Sequence, residues 1–196
     1  MVKYEYGKIG PNAIIQTVEA LKEAYGETQV ALMLQKTHYA HFVDSLPDEM
    51  IAEQTFYALV QELDKVLPHN DIHTILKRSG QLTAFYLLQH RIPQFAQRLL
   101  PIMPRRVGLW MLLSAVQKHS WTFVGSGHYR FTVGTPPMIT IVHTNATSVG
   151  LTEPIWHFYY GCFEQLLRAL ITNTTHIQLR IDQYDQSYAG HYAIAY

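Results

Sequence analysis

The sequence predicts an α+β fold, with a helical first part followed by a largely antiparallel sheet that carries one long helix. Three observations predict it. Apolar residues recur at helical spacing to about residue 119. Alternation of period two begins near Trp121 and returns close to the end. Between the two alternating blocks, residues 154–171 form one strongly amphipathic helical stretch. No internal repeat, low-complexity tract or linker interrupts the order, so residues 1–196 are expected to form a single domain, helical over about 1–119 and sheet-rich over about 120–196.

Taken in order, Gly10-Pro11-Asn12 opens a first helix with Ile14, Val18 and Leu21 on one stripe, stopped by Gly26. A second carries Val30, Met33 and Leu34 and is expected to reach about residue 43. A third places Phe56, Leu59, Val60, Leu63 and Val66 at helical spacing and ends at Pro68. Asn70 or Asp71 is positioned to cap a fourth, which runs through Ile72, Ile75, Leu82 and Tyr86 to the break at Pro93. Pro104 starts a fifth, in which Val107, Leu109, Trp110, Leu112, Leu113 and Val116 leave little polar face; such a helix is expected to be central. Residues 121–124 and the alternating Tyr129, Phe131 and Val133 are predicted to pair through a Gly125-Ser126-Gly127 hairpin turn. A third strand covers 138–143. After the long helix, Ile177, Leu179 and Ile181 share one strand face, and Tyr192, Ile194 and Tyr196 another.

Lys plus Arg and Asp plus Glu each number 15, so the formal charge is zero and nothing asks for nucleic acid or an anionic membrane as partner. Charged residues make up only 15% of the chain, below the roughly 25% usual in globular proteins. Aromatic residues reach 12%. Sparse charge leaves less surface that can be kept wet, which implies a homo-oligomeric face, an enclosed apolar ligand, or both. The single cysteine, Cys162, excludes an internal disulfide and any cysteine-rich metal site. The opening residues show no apolar stretch of signal-peptide kind, and the longest apolar run, 107–117, is too short to span a bilayer. A cytoplasmic location without a membrane span is therefore expected.

No G-x-G-x-x-G joins a strand to a helix, and there is no P-loop, H-E-x-x-H or G-x-S-x-G motif. That pattern argues against autonomous redox catalysis with a nucleotide cofactor. Among eleven histidines, His38 and His41 are three apart and His69 and His73 four apart, but neither pair has a local third ligand, so no metal is expected there. On the long helix, Trp156, Tyr159, Phe163, Leu166 and Leu170 form the apolar stripe. His157, Gly161, Glu164 and Arg168 line a second face, where the mid-helix Gly161 implies close approach of another helix, a dimer mate or a flat ligand. Arg91, Arg98, Arg105 and Arg106 stand in a stretch otherwise rich in Leu, Ile and Pro. They form either a solvated face or the rim of a pocket that receives carboxylates.

Four blocks carry a resemblance that spans nearly the whole chain in order. They are Ile9-Gly10-Pro11-Asn12-Ala13-Ile14; His90-Arg91-Ile92-Pro93 with Ala96-Gln97-Arg98-Leu99-Leu100; His119-Ser120-Trp121-Thr122-Phe123-Val124-Gly125-Ser126-Gly127; and Trp156-His157 with Phe163-Glu164 and Leu167-Arg168-Ala169-Leu170. Together they resemble the bacteriochlorophyll-synthesis 4-vinyl-reductase family. The resemblance implies a ligand-binding α+β domain related to trafficking-complex subunits and, more distantly, to haem nitric-oxide sensors. It also implies association with 8-vinyl reduction of a magnesium-containing chlorophyllide or protochlorophyllide, a homodimer, and chlorophyll-pathway enzymes as partners. The family's terminal cysteine cluster is missing from residues 185–192, so no thiol or metal role attached to that cluster carries over.

Under this resemblance the expected function is to bind and carry the tetrapyrrole rather than reduce it. Trp110, Trp121, Trp156 and Tyr159 would stack on the macrocycle, His157 or His119 would ligate its magnesium, and Arg91, Arg98 or Arg105 would hold its propionate. Two other readings remain open from sequence. One is a true reductase fed by an external reductant; the other is a sensory or scaffold domain that binds a small aromatic ligand or a protein.

Overall fold

The computed structural model describes residues 7–144 and 146–196, without the side chains of His69, Thr147 and Ser148. Its helices are α1 (Asn12–Tyr25), α2 (Glu27–Gln35), α3 (Glu53–Val66), α4 (His69–His90), α5 (Gln94–Leu99), α6 (Arg105–Lys118), α7 (Ala146–Val149) and α8 (Ile155–Leu170). Strands β1 (Lys8–Ile9) and β2 (Ile51–Ala52) form a small antiparallel pair. Strands β3 (His128–Thr132), β4 (Met138–His143), β5 (His176–Tyr184) and β6 (Ser187–Ala195) form an antiparallel sheet in the order β3-β4-β6-β5. The α+β expectation is met, with helices leading and an antiparallel sheet closing the chain.

The central helix is α8, whose two faces are both used. One lies on the sheet: the Phe163 ring meets Tyr192 edge-on at 5.2 Å, and the Tyr192 hydroxyl donates to the Trp156 carbonyl at 3.1 Å. The other lies along α4, where a side chain on Gly161 would collide with the Lys77 carbonyl and one on Gly80 with the Phe158 carbonyl. Two glycines facing each other's backbones let these helices approach more closely than any larger residue allows. Behind α4, the buried Thr17 and Ser79 hydroxyls share a hydrogen bond of 2.8 Å that fixes α1.

Three expectations are corrected. Residues 121–124 are not a strand. Ser120–Thr122 is a 3-10 turn whose Thr122 carbonyl accepts the Gly10 amide at 2.7 Å, so the apolar spacing there serves a corner. The glycines that follow are not a hairpin turn but a buried latch. The Glu53 carboxylate accepts the Gly7 amide at 3.0 Å and the Ser126 amide at 2.9 Å, and Gly125, at φ 57°, sits where any side chain would strike that carboxylate. Second, α2 stops at Gln35, where the Thr37 hydroxyl takes the Leu34 carbonyl at 2.7 Å and leaves a separate 3-10 turn at Ala40–Val43. Third, α6 is peripheral. It buries Gly108, Leu109, Leu112 and Leu113 and leaves Val107, Trp110 and Met111 in solvent, because apolar residues all round it exceed what one neighbouring layer can cover.

No helix among the described residues is long and apolar enough to cross a membrane.

Candidate functional site

The residues singled out from sequence divide into three places. Trp156 and Tyr159 are core residues, 0% and 2% exposed. Tyr159 donates to the Phe123 carbonyl at 3.1 Å and stacks on Phe163. With Tyr129, Phe163 and Tyr192 they fill the space between α8 and the sheet, so a macrocycle does not fit there as the side chains stand. Gly161 serves the α4 crossing, not a flat ligand. Beside it, the buried Glu164 carboxylate is held by Lys77 Nζ at 3.2 Å, Arg168 at 3.6 Å and the Tyr160 hydroxyl at 3.1 Å, which makes this second face of α8 a helix interface. Burial pushes the Cys162 thiol up to about 12, so it is no nucleophile.

The second place is an exposed apolar face. Phe95 on α5 is 71% exposed, Ile102 80% and Trp110 54%; Trp121, 64% exposed, lies apart beyond the far end of α6. Leu99, Val107 and Met111 are exposed with the first three. The Leu100–Ile102 turn folds against the start of α6, where a side chain on Gly108 would press on the Leu100 carbonyl at 3.0 Å. Arg91, Arg98, Arg105 and Arg106 edge this region, all exposed. None of Arg91, Arg98 and Arg105 forms an ion pair among the described residues; Arg105 lies over the Tyr196 ring at 5.6 Å. Residues 72–152 contain eight Lys or Arg and no Asp or Glu at all, a charge asymmetry that the net charge of zero conceals. Six large apolar side chains in water, bordered by arginines with no acid to neutralise them, suit a flat apolar ligand that bears a carboxylate. His119 ends α6 and is exposed, roughly 21 Å from Arg105 at 1.5 Å per residue.

The third place holds His157, at the opposite end of α8. Its ring stacks on that of His73 from α4, with centroids 4.1 Å apart and planes 12° from parallel. Glu153, just ahead of α8, reaches both: His73 Nε2 lies 2.7 Å from Oε2 and His157 Nε2 3.4 Å from Oε1. The hydrogen bond from His157, with the charge of His73 and His157 behind it, holds the Glu153 carboxyl below its ordinary range. His73 and Arg91 stand at opposite ends of α4, roughly 25 Å apart at 1.5 Å per residue, so one macrocycle cannot touch both His157 and the arginines. The four-residue spacing of His69 and His73 was not expected to hold a metal; the His69 side chain lies outside the described residues, and His73 meets partners 80 and 84 residues away. His38 pairs with the Glu62 carboxylate and His41 packs on Phe42, so those two gather no common site.

Sequence reasoning missed His143. At the end of β4 it is 1% exposed, edge-on to Tyr57 and Trp156, and neither ring nitrogen has a hydrogen-bond partner. The Tyr129 hydroxyl and Trp156 Nε1 nearby are also unpartnered. Desolvation, with the neighbouring His128 charge as the lesser cause, lowers the His143 pKa to about 4. Its ring packs where a side chain on Gly127 would stand, directly behind an open recess of about 360 Å³ lined by Trp121, Gly127, Tyr129 and Arg130.

Comparison with known proteins places the chain. The bacteriochlorophyll synthase 23 kDa chain of Cereibacter sphaeroides is 30% identical over 165 residues, covering 84% of this chain and 79% of that protein. The chain belongs to that family. The Rhodobacter capsulatus protein of the same description is 29% identical over 164 residues, covering 84% of this chain and 76% of its own length. No family model matches the chain. Solved H-NOX structures share its fold. One from a study of haem distortion has a TM-score of 0.62 at 11% identity, covering 95% of this chain and 94% of that one. The Fe(II) unliganded H-NOX protein from K. algicida has a TM-score of 0.60 at 10% identity, covering 96% and 97%. At such identities the likeness concerns the fold alone, and it matches the sensor-like architecture that the resemblance implied.

Proposed function

We propose that this protein binds a magnesium-containing chlorophyllide or protochlorophyllide on the exposed face of α5 and α6 and carries it within bacteriochlorophyll synthesis. The exposed apolar face bordered by acid-free arginines is the observation that carries the reading, in a chain whose relatives are named for bacteriochlorophyll synthase. Trp110, Phe95 and Ile102 would cover one side of the macrocycle, and Arg98 or Arg105 would pair with its propionate. His119 stands at the far end of α6, roughly 21 Å from Arg105 at 1.5 Å per residue, so, like His157, it is not offered to the magnesium of a ring held at the arginines. When bound, the pigment brings its own conjugated ring chemistry; the residues around it bind, orient and shield it. Carrying is preferred to reduction because the sheet is wholly antiparallel and has no strand-end crevice of the kind that holds dinucleotides in doubly wound folds. The expected homodimer is assigned to exposed apolar surface elsewhere, where Leu32 and Val43 border an open recess at α2.

Titration of the purified protein with chlorophyllide should shift the pigment's Soret band and quench tryptophan fluorescence. Trp110→Ala should weaken binding on the order of tenfold, since an aromatic contact of this size contributes about 1.5–3 kcal/mol. His119→Ala, at the far end of α6, should leave the bound spectrum unchanged. With NADPH added, mass spectrometry should find the vinyl group intact. Identical affinity for wild type and Trp110→Ala would remove the face from consideration, and an ethyl product would replace the carrier with a reductase.

A further inference from the structure

The geometry points to a second site, independent of the pigment face: a binding site for a divalent first-row transition-metal ion formed by His73, Glu153 and His157. One ligand atom from each of the three lies within 4.8 Å of the others. Ligand atoms on a single zinc ion stand roughly 3.3 Å apart, given metal–ligand bonds near 2.0–2.1 Å. His73 Nε2 lies 2.7 Å from one Glu153 oxygen and His157 Nε2 3.4 Å from the other, so the three groups are already within reach of one ion, which would draw them to that spacing.

The backbone arranges the three before any ion arrives. The close α4–α8 crossing through Gly80 and Gly161 sets the two helix starts side by side and lays the two imidazoles flat against each other. Glu153 and His157 are four residues apart across the start of α8, with Pro154 between them fixing the entry to the helix. The glycine-anchored crossing thus brings two imidazoles and one carboxylate together, and one ring must tilt out of the stack for both nitrogens to meet a single ion. Two neutral imidazoles and a carboxylate form a donor set for zinc, cobalt, iron or nickel and a poor one for magnesium or calcium, which take oxygen ligands. Side chains of His73 and His157 are 22% and 26% exposed and that of Glu153 40%, so an ion can enter from solvent and keep water in its remaining positions. The partial positive charge at two helix N-termini works against a cation here. The negative charge of a carboxylate at this position offsets it.

Cobalt reports the site directly. The full chain, stripped with chelator, is titrated with Co²⁺ at pH 7.5 while visible d–d absorption is recorded, and Zn²⁺ is then added to displace it. One equivalent of Co²⁺ per chain, displaced by Zn²⁺, is expected. Glu153→Gln, which preserves shape, and His73→Ala should each weaken binding at least tenfold, while His38→Ala with His41→Ala should leave it unchanged. If His73→Ala does not fold, Glu153→Gln carries the comparison. Absence of cobalt bands in the wild type, or one-equivalent binding that survives Glu153→Gln, would overturn the proposal. Chlorophyllide titration of Glu153→Gln should match wild type, so failure of the metal site and failure of the pigment reading are told apart.

Discussion

A buried histidine with two unpartnered nitrogens is costly when charged, and His143 shows the consequence for pH. Its folded pKa of about 4 lies below the ordinary histidine value of 6.5, so the unfolded chain takes up its proton first as pH falls. The stability of keeping it neutral and buried is therefore complete above pH 6.5 and is lost progressively between 6.5 and 4. The full loss is about 3 kcal/mol by the linkage relation. In urea unfolding measured from pH 7.5 to 4.5, the wild type should lose stability more steeply than His143→Leu. Parallel curves would show that this imidazole is not the group responsible. No feature of the sequence singled out His143, because a histidine at the end of a β-branched strand reads as an ordinary edge residue. The His73–Glu153–His157 set was half legible. Glu153 and His157 stand four apart across a helix start, which is a ligand spacing, but their third member comes from 80 residues earlier and only the helix crossing brings it in.

At the scale of elements, the helices were legible wherever a stripe of apolar residues had one layer to face, and the errors fall where it had two or none. The apolar stripe and the polar second face of α8 were both read correctly as faces. What the second face meets was not fixed by its residues, since a mid-helix glycine fits a helix, a dimer mate or a ligand equally well. Gly161 answers to α4. In an open helix, Gly→Ala gains about 1 kcal/mol. Here the added methyl meets the Lys77 carbonyl, a backbone atom that cannot turn away. Gly161→Ala is therefore expected to destabilise by about 2 kcal/mol net, within the usual range for overpacking. For a domain of this length that is a fall in Tm of roughly 4–8 °C by thermal unfolding. An unchanged or higher Tm would mean that α4 and α8 are less tightly apposed. The opposite error concerns α6, whose all-round apolarity suggested a central place. Its exposed half has no protein layer over it, and that is what makes it the candidate ligand face.

Across the whole molecule, charge is unevenly spread. All fifteen carboxylates lie outside residues 72–152, and eight of the fifteen cationic side chains lie within them. A count over the chain gives zero and hides the asymmetry, so net charge says nothing of what this region can meet. If Arg98 and Arg105 hold a pigment carboxylate at an exposed face, the attraction must be screened by salt, because the Debye length falls from about 30 Å at 0.01 M to about 8 Å at 0.15 M ionic strength. Apolar contact with Trp110 and its neighbours is not screened in this way. The two contributions separate with a pair of ligands, chlorophyllide as the free acid and the same ring as its methyl ester. Affinity for the free acid should fall as salt rises from 0.01 to 0.15 M, and Arg98→Ala should lower it about 2- to 5-fold, the range of an exposed ion pair. The ester should bind more weakly at low salt, respond little to salt, and be indifferent to Arg98→Ala. Equal salt dependence for acid and ester would show that the arginines line a solvated edge and that the ring is held by its apolar face alone.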